Sequence, residues 1–289
     1  MKAVMFAAVL WSVAQVAVAQ PRVANGQLQP TPISGRLTRA ALDAMAAGAG
    51  PSWVGYGVPA IEGDHRSCCW NGDSGGYFQA CRLESGSPNT SITPSSPGPS
   101  VVALEGGQTL HVLFRLDAGR VDRIRIFSDD CVLDAGGLAV RWLSGVTPAD
   151  SAATLATFLT AAAANKLADG ALTALAMHRE PAALEHLLTT ARDGATTHLR
   201  GQALFWLSQR AGDKAVGAIT DAIARDPETD VKKRAVFALS QLPKDEGVPL
   251  LIQVARTNAN PAVRKQAMFW LGQTKDPRAL KFFEEILFK

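Results

Sequence analysis

The stretch LRGQALFWLSQ at residues 199–209 recurs as VKKRAVFALSQ at 231–241 and as VRKQAMFWLGQ at 263–273, in register and without a gap. An earlier stretch carries the same apolar pattern. The four copies are Leu167, Ala171 and Leu175; Leu199, Ala203 and Leu207; Val231, Ala235 and Leu239; and Val263, Ala267 and Leu271. A spacing of four residues places side chains on one face of a helix, so each copy predicts an amphipathic helix.

A second apolar series follows each of these helices. Its members are Leu184, Leu187 and Ala191; Val216, Ile219 and Ile223; Val248, Leu251 and Ala255; and Leu280, Phe283 and Leu287. The spacing i, i+3, i+7 predicts a second helix in each unit, with prolines and aspartates between the helices. One hairpin cannot bury both of its apolar faces alone, so the sequence predicts stacked hairpins, an α-solenoid, over residues 147–289. Its first helix is expected to begin soon after Pro148.

The segment NPAVRKQAMFWLGQTKDPRALKFFEEIL at residues 260–287 resembles the short HEAT repeat of the phycobilisome-lyase type. The likeness lies in Val263-Arg264, Ala267 and Leu271 of one helix and in Asp276-Pro277 at the start of the next. The resemblance implies a HEAT-like solenoid whose relatives are protein-binding scaffolds, chromophore lyases or, with paired His-Glu motifs, iron-dependent hydroxylases. No His-Glu dipeptide occurs in the sequence, so we expect no iron site, no other metal site and no cofactor.

Residues 1–19 have the character of a secretory signal peptide. Lys2 precedes an apolar run, and Ala17-Val18-Ala19 offers small residues at the positions that signal peptidase reads. We therefore predict an exported protein, periplasmic or extracellular, that begins at Gln20; the alternative is an N-terminal membrane anchor. No later stretch is long and apolar enough to span a membrane. The formal net charge of +3 is too small to indicate a nucleic-acid partner.

The four cysteines, Cys68, Cys69, Cys81 and Cys131, all lie in the N-terminal half. In an exported protein they predict two disulfides. Neighbouring cysteines bridge only in a strained ring, so Cys81 and Cys131 would each pair with one of the other two, in an order that the sequence leaves open. The alternative is a metal site that uses His65 with Cys68 and Cys81.

The fold class predicted for the whole chain is α+β: a small N-terminal antiparallel β domain followed by the C-terminal solenoid. We expect poor order over residues 20–50, which are rich in Pro, Gly and Ala, and a disulfide-bonded β domain over 51–146. Alternating apolar residues from Leu110, from Ile124 and from Leu138 predict three antiparallel strands with one buried face. Asp117-Ala118-Gly119 is expected to form the hairpin turn between the first two.

The motif Gly72-Asp73-Ser74-Gly75-Gly76 matches the nucleophile loop of chymotrypsin-like proteases. That chemistry needs a histidine base and an acid from an upstream barrel, for which the chain before Ser74 is too short, so we predict a glycine-rich turn and no catalytic residue. The leading prediction is a non-enzymatic scaffold that binds another protein. The alternatives are an envelope enzyme, hydrolase or chromophore-lyase-like, that uses Ser74 or a cysteine, and a structural envelope component that self-associates.

Two sets of apolar residues are candidates for partner binding. Phe205, Phe237 and Phe269 form one column of the repeat, where packing between repeats is the competing explanation. Phe282, Ile286 and Phe288 lie on the last helix, whose outer face would be uncovered, and predict docking on a partner or on a second copy. The alternative is that Phe282 folds over its own neighbour. A basic cluster at Lys232–Arg234 and Arg264-Lys265 is interpreted as a solvated or ion-paired ladder.

Overall fold

A computed structural model describes residues 20–48, 50–63, 81–84, 108–210 and 212–288. The strands in these ranges are β1 (Arg22–Ala24), β2 (Gln27–Pro32), β3 (Ser52–Pro59), β4 (Cys81–Arg82), β5 (Thr109–Asp117), β6 (Arg120–Ser128), β7 (Val132–Asp134) and β8 (Ala139–Ser144). The helices are α1 (Arg39–Ala46), α2 (Pro148–Ala156), α3 (Asn165–Met177), α4 (Pro181–Asp193), α5 (Thr197–Arg210), α6 (Asp213–Arg225), α7 (Thr229–Gln241), α8 (Lys244–Thr257), α9 (Pro261–Gln273) and α10 (Pro277–Leu287). This arrangement confirms a mixed helix-and-sheet fold with a C-terminal helical region.

The larger sheet has the strand order β2-β8-β3-β5-β6. Strands β3, β5 and β6 are antiparallel, and the predicted turn is present, with Ala118 and Gly119 both at positive φ. Strand β8 pairs in parallel with both β2 and β3 instead of joining β6. The prediction of a wholly antiparallel sheet was therefore wrong, because alternation identifies a strand but does not identify its neighbour.

Both faces of this sheet are buried, although the sequence analysis predicted one. Val54 and Phe114 face the core that the sheet shares with the helices. Trp53 and Leu113 face a second cluster, which contains Leu133 of the small sheet β1-β7-β4. Strands covered on both sides lose the contrast between apolar and polar faces, which is why the second layer went unrecognised.

The segment 20–50, expected to be poorly ordered, contains β1, β2 and α1. Thr38 caps α1 by accepting a hydrogen bond from the Ala41 amide at 3.1 Å. Leu42 is fully buried in the main core, and the Arg39 guanidinium lies 4.1 Å from the ring centroid of Phe158. Tertiary packing thus orders a stretch whose composition suggested otherwise.

The helical region is built from the predicted hairpins. Ala171, Ala203, Ala235 and Ala267 are all fully buried, as the repeat requires. Helices α3, α5, α7 and α9 contact one another in succession, and α4 contacts α6. The first helix, α2, begins at Pro148, where Thr147 accepts a hydrogen bond from the Asp150 amide at 3.1 Å. The C-terminal helical repeat region is confirmed, while its description as a solenoid stays a prediction.

Basic side chains at one position of the repeat bond to the end of the preceding helix, and Arg200 also bonds to the loop that leads into the next unit. Arg200 donates to both carboxylate oxygens of Asp226, at 2.7 and 3.2 Å, and to the Gly194 carbonyl at 2.9 Å. Lys232 donates to the Ala224 carbonyl at 3.0 Å, and Arg264 to the Asn258 carbonyl at 2.8 Å. Part of the predicted basic cluster therefore serves the ends of the preceding helices.

The sheet joins the first hairpin through backbone hydrogen bonds. The Ile61 amide donates to the Met177 carbonyl, and the Arg179 amide to the Pro59 carbonyl, both at 3.0 Å. Helix α3 also packs against β6 so closely that a Cβ atom at Gly170 would lie 2.7 Å from the Ile124 carbonyl oxygen. One hydrophobic core accordingly extends from the sheet into the helical repeats.

Several predictions fall outside the described residues: the signal peptide at 1–19, His65, Cys68, Cys69 and the motif around Ser74. Cys81 and Cys131 are both buried in the second cluster beside the sheet. The disulfide pairing stays a prediction, as do the domain boundaries. Among the described residues, no helix has the length and apolar character needed to cross a bilayer.

Candidate interaction surface

The predicted phenylalanine column lies on one face of α5, α7 and α9, which pack side by side in one layer of helices. The rings of Phe205 and Phe237 are stacked, with centroids 6.0 Å apart and planes inclined by 4°. Phe237 continues the row to Trp270, whose ring centroid is 4.9 Å away, and Phe269 meets Trp270 edge-on at 5.0 Å. The rings therefore pack between repeats, the competing explanation for this column. The rings remain accessible to solvent, since Phe205 and Phe237 are half-buried and Phe269 is 53% exposed.

A row of exposed glutamines runs beside the phenylalanines. Gln209, Gln241 and Gln273 each stand four residues after a phenylalanine of the column, one helical turn along the same face. The sequence analysis missed this row, although the repeated FWLSQ, FALSQ and FWLGQ endings contain it. An exposed amide offers two donors and an acceptor, so the row adds hydrogen-bonding capacity next to the aromatic rings. We call the two rows together the aromatic–glutamine face.

Serines orient two of the three glutamines in the same way. In α5 the Ser208 hydroxyl donates to the Phe205 carbonyl at 2.6 Å, and Gln209 Nε2 donates to Ser208 Oγ at 3.3 Å. In α7 the Ser240 hydroxyl donates to the Phe237 carbonyl at 2.6 Å.

In α7, as in α5, the serine also accepts from the glutamine: Gln241 Nε2 donates to Ser240 Oγ at 3.0 Å. Each amide keeps one N–H and its oxygen for another molecule. The repeated geometry means that neighbouring glutamines present these groups in the same orientation.

Arg234 gives the aromatic–glutamine face a positive charge. It lies on α7 one turn before Phe237, is exposed, and crosses above Gly201 of α5. A Cβ atom at Gly201 would lie 2.2 Å from Arg234 Cδ, so the glycine makes room for the arginine stem. Among the described residues the Arg234 guanidinium has no hydrogen-bond or ion-pair partner. It is therefore available to an anionic group.

The sheet closes the face at one end. Gly170 of α3 is equivalent in the repeat to Gln202 of α5 and Arg234 of α7, and at Gly170 the position is covered by Ile124 of β6. The column position that holds Phe205 in α5 is Thr173 in α3. The face thus extends over three helices, α5, α7 and α9, and β6 lies against the neighbouring helix α3 at one end.

The second predicted set, on α10, is only partly at the surface. Phe282 is 2% exposed and packs toward α8, with the Arg256 guanidinium 5.3 Å from its ring centroid. Its side of the helix therefore faces the preceding unit, which is the competing explanation for this residue, and the binding role of α10 stays a prediction. Ile286 and Phe288 are exposed as predicted. Leu280 and Leu287, which the sequence analysis placed in the apolar series of the fourth repeat, are exposed instead, because α10 turns Ala279 and Phe282 toward the rest of the protein.

A groove of about 490 Å³ lies on the other layer of helices, between α4 and α6. Its floor includes Leu188, Gly217, Ala218 and Ala222, and its rim carries the ion pair between Lys214 and Glu185. The next unit has Leu250 and Val254 where α6 has Ala218 and Ala222, and the corresponding space there is about 170 Å³. The groove therefore arises from small residues at two positions of one repeat.

A buried polar cluster lies where the sheet meets the first hairpin. Ser151 Oγ is 2.9 Å from the Tyr56 hydroxyl and 3.0 Å from His178 Nε2. The Glu180 amide donates to His178 Nδ1 at 3.1 Å, so the neutral imidazole carries its proton on Nε2. In that tautomer Nε2 donates to Ser151 and cannot take its proton, and the cluster is not an activated serine.

The surroundings of the cluster keep His178 neutral. Burial and, to a lesser extent, the positive charge of Arg210 lower the pKa of His178 to about 4. Arg210 donates to the carbonyls of Leu175, Ala176 and His178, at 3.0 to 3.3 Å. Burial likewise raises the pKa of Tyr56. The cluster thus consists of neutral groups at neutral pH, apart from the arginine.

Within the described residues, no group of three or more His, Cys, Asp or Glu side chains is placed to hold a metal ion. The aromatic–glutamine face itself offers apolar rings, amides and the exposed cations Arg234 and Lys265.

Comparison with solved structures finds two partial matches. Human deoxyhypusine hydroxylase in complex with glycerol is 20% identical over a match that covers 46% of this chain and 43% of that chain, with a TM-score of 0.34. The complex of CpcE and CpcF of phycocyanin lyase from Nostoc sp. PCC7120 is also 20% identical, over 49% of this chain and 91% of that chain, with a TM-score of 0.38. The chain thus spans less than half of the hydroxylase. No curated protein matches the sequence.

These likenesses overturn the prediction that the chain is not an enzyme, since both proteins are named as enzymes. A helical repeat region of this kind does not exclude an enzymatic role. At such identities and TM-scores they assign no activity to this chain. Residues 216–288 match the family described as HEAT repeats, and the predicted HEAT-repeat character of the C-terminal region is confirmed there.

Proposed function

We propose that this protein is a scaffold that binds another protein through the aromatic–glutamine face of its HEAT-repeat region. The observation that carries the proposal is the array itself: a row of rings and a row of exposed glutamines that recur at one position of α5, α7 and α9. Repeat proteins use extended surfaces of this kind for binding. Half-exposed aromatic side chains supply contact area, and the amides beside them supply hydrogen bonds that fix the orientation of the partner.

The regular orientation of the glutamines supports the same function. Hydrogen bonds from Gln209 to Ser208 and from Gln241 to Ser240 restrict both side chains before any partner arrives. Restricting a side chain in advance reduces the entropy lost on binding. Packing between repeats requires the phenylalanines, but it does not require a hydrogen-bonded row of exposed amides.

Affinity capture from the source cells tests this function. The protein would be used in three forms: unchanged, with Gln209→Ala, Gln241→Ala, Gln273→Ala and Phe269→Ala combined, and with Gln253→Ala as the control. Gln253 is exposed on α8, in the other layer of helices. The expected result is a partner retained by the unchanged protein and the control but lost by the combined variant. That loss must be reproduced by calorimetry with the purified partner.

Equal retention of every captured protein by the combined variant would contradict the proposed function. Circular dichroism and thermal melts of the three forms establish that the variant is folded. The substituted glutamines and Phe269 are exposed, so only a small change in stability is expected.

We also propose that the protein acts outside the cytoplasm. Lys2, the apolar run after it and Ala17-Val18-Ala19 support export. N-terminal sequencing of the protein purified from an envelope or culture fraction should then begin at Gln20. Recovery from the cytoplasm with residues 1–19 intact would contradict export.

A further inference from the structure

We infer that the segment bound by the aromatic–glutamine face is an extended, acidic peptide in the polyproline II conformation, lying across α5, α7 and α9. The inference rests on the proposed function and specifies the kind of partner segment. It follows from the spacing of the rows, from the groups the glutamines leave unpaired and from the charge of Arg234.

The spacing of the rows selects the conformation. Packed helices lie roughly 8–10 Å apart, which sets the distance between equivalent backbone positions of neighbouring repeats, including those that carry the glutamines. The Phe205 and Phe237 rings lean toward each other and are closer, with centroids 6.0 Å apart. A polyproline II helix rises about 3.1 Å per residue with three residues per turn, so every third side chain points the same way after about 9.3 Å. In a β-strand every third side chain points to the opposite side. One turn of polyproline II therefore fits one repeat.

The length of the segment follows from the ends of the face. The face covers the three helices from Phe205 to Phe269, and at its end Ile124 of β6 lies against Gly170 of α3, the position equivalent to Arg234. Two intervals between helices span roughly 16–20 Å, which corresponds to about six residues of polyproline II. A bound segment of about seven to nine residues would place three apolar side chains, each against one repeat.

The glutamines match the backbone of such a segment. Polyproline II has no internal hydrogen bonds, so its carbonyls and remaining amides are free to pair. Gln209 and Gln241 each retain one N–H and one oxygen after bonding to their serines. These groups lie one helical turn from the rings, so a segment lying over the rings has its backbone beside the amides.

The charge on the face selects acidic peptides. Arg234 and Lys265 are exposed, and among the described residues neither has an ion-pair partner. Lys233, by contrast, is 3.3 Å from Asp230. An acidic side chain of the peptide beside Arg234 would gain a charge-assisted hydrogen bond that a neutral or basic peptide lacks.

The test uses synthetic fluorescein-labelled peptides and fluorescence anisotropy. The probe contains three Leu-Pro-Glu triplets, and the control peptide has the same composition in an order that breaks the three-residue period. A third peptide replaces each glutamate of the probe with lysine. We expect the probe to bind at least tenfold more tightly than either of the other two. No binding of the probe at millimolar protein, or equal binding of the reordered peptide, would overturn the inference.

Variants then locate the binding. Combining Gln209→Ala, Gln241→Ala and Gln273→Ala should weaken probe binding at least tenfold, and Gln253→Ala should leave it unchanged. Arg234→Glu should weaken binding of the glutamate probe and strengthen binding of the lysine peptide. Undiminished binding by the triple glutamine variant would place the peptide elsewhere and contradict the inference.

The proposed function and the polyproline II inference can be refuted independently of each other. A cellular partner that depends on the face while none of the three peptides binds would refute the polyproline II inference and leave protein binding standing. Capture that is insensitive to the face would refute the proposed function, whatever the peptides do.

Discussion

His178 Nε2 lies 3.0 Å from Ser151 Oγ, inside a core that water does not reach. The histidine comes from the end of α3 and the serine from α2, while Tyr56 of β3 completes the contact from the sheet. The junction between the sheet and the repeats therefore depends on one imidazole that must stay neutral.

Acidification should weaken this junction. Because burial lowers the pKa of His178 to about 4, the unfolded chain, where a histidine titrates near 6.5, binds the proton more readily than the folded one. The contribution to stability is complete above about pH 6.5 and is lost as the pH falls toward 4, by on the order of 3 kcal/mol in total. Urea denaturation at pH 7.5, 6, 5 and 4 would measure the fall.

His178→Gln is the matched control for the pH series. Glutamine keeps an N–H donor near the Nε2 position but does not titrate, so the fall between pH 6.5 and 4 should shrink even if the variant is less stable throughout. His186 and His198, which are less buried, remain in both proteins. An unchanged pH dependence in the variant would show that the effect comes from other groups.

A buried ion pair holds two successive units together. Asp226 is buried, accepts two hydrogen bonds from Arg200 and also accepts one from the Glu228 amide at 2.8 Å. Asp226→Ala should therefore lower the free energy of unfolding by about 3 kcal/mol, since it leaves a buried guanidinium without its carboxylate. Asp230→Ala removes an exposed carboxylate paired with Lys233 and should cost less than about 1 kcal/mol. Similar losses in the two variants, measured by urea denaturation, would contradict this difference.

The sequence predicted the helical region well because its determinants are local and repeated four times. The spacing of Ala171, Ala203, Ala235 and Ala267 identified buried positions without any knowledge of their neighbours. The sheet was harder, because the partners of β8 are set by packing between distant segments. Its parallel pairing with β2 has no local signature.

The sequence analysis identified one of the two rows of the candidate site and missed the other, for a related reason. The phenylalanine column is visible as an apolar repeat, and it was found. Gln209, Gln241 and Gln273 recur just as regularly, but a search for buried positions passes over polar residues. The sequence left the orientation of Phe282 open, because an apolar residue on a last helix can face either the preceding unit or solvent. Only the packing of α10 on α8 distinguishes the two.

Two helical glycines should respond in opposite ways to alanine. Gly170→Ala would bring a Cβ to within 2.7 Å of the Ile124 carbonyl oxygen, a backbone atom that cannot move freely, so it should lower stability by about 1–3 kcal/mol. Gly217→Ala meets nothing within 4 Å and should raise stability by up to about 1 kcal/mol, because alanine favours the helix. Thermal and urea denaturation of both variants would check the signs, and a gain at Gly170 would refute the close contact of α3 with β6.

The last helix offers a test of which apolar residues belong to the fold. Phe282 is almost fully buried whereas Leu280 is 62% exposed, although the two are separated by one residue of α10. Phe282→Ala should therefore cost about 3 kcal/mol or more in the free energy of unfolding, and Leu280→Ser should cost less than about 0.5 kcal/mol. If an additional subunit or segment covered this face in solution, Leu280→Ser would instead lower stability by more than 1 kcal/mol, or shift the mass measured by light scattering, relative to the unchanged protein.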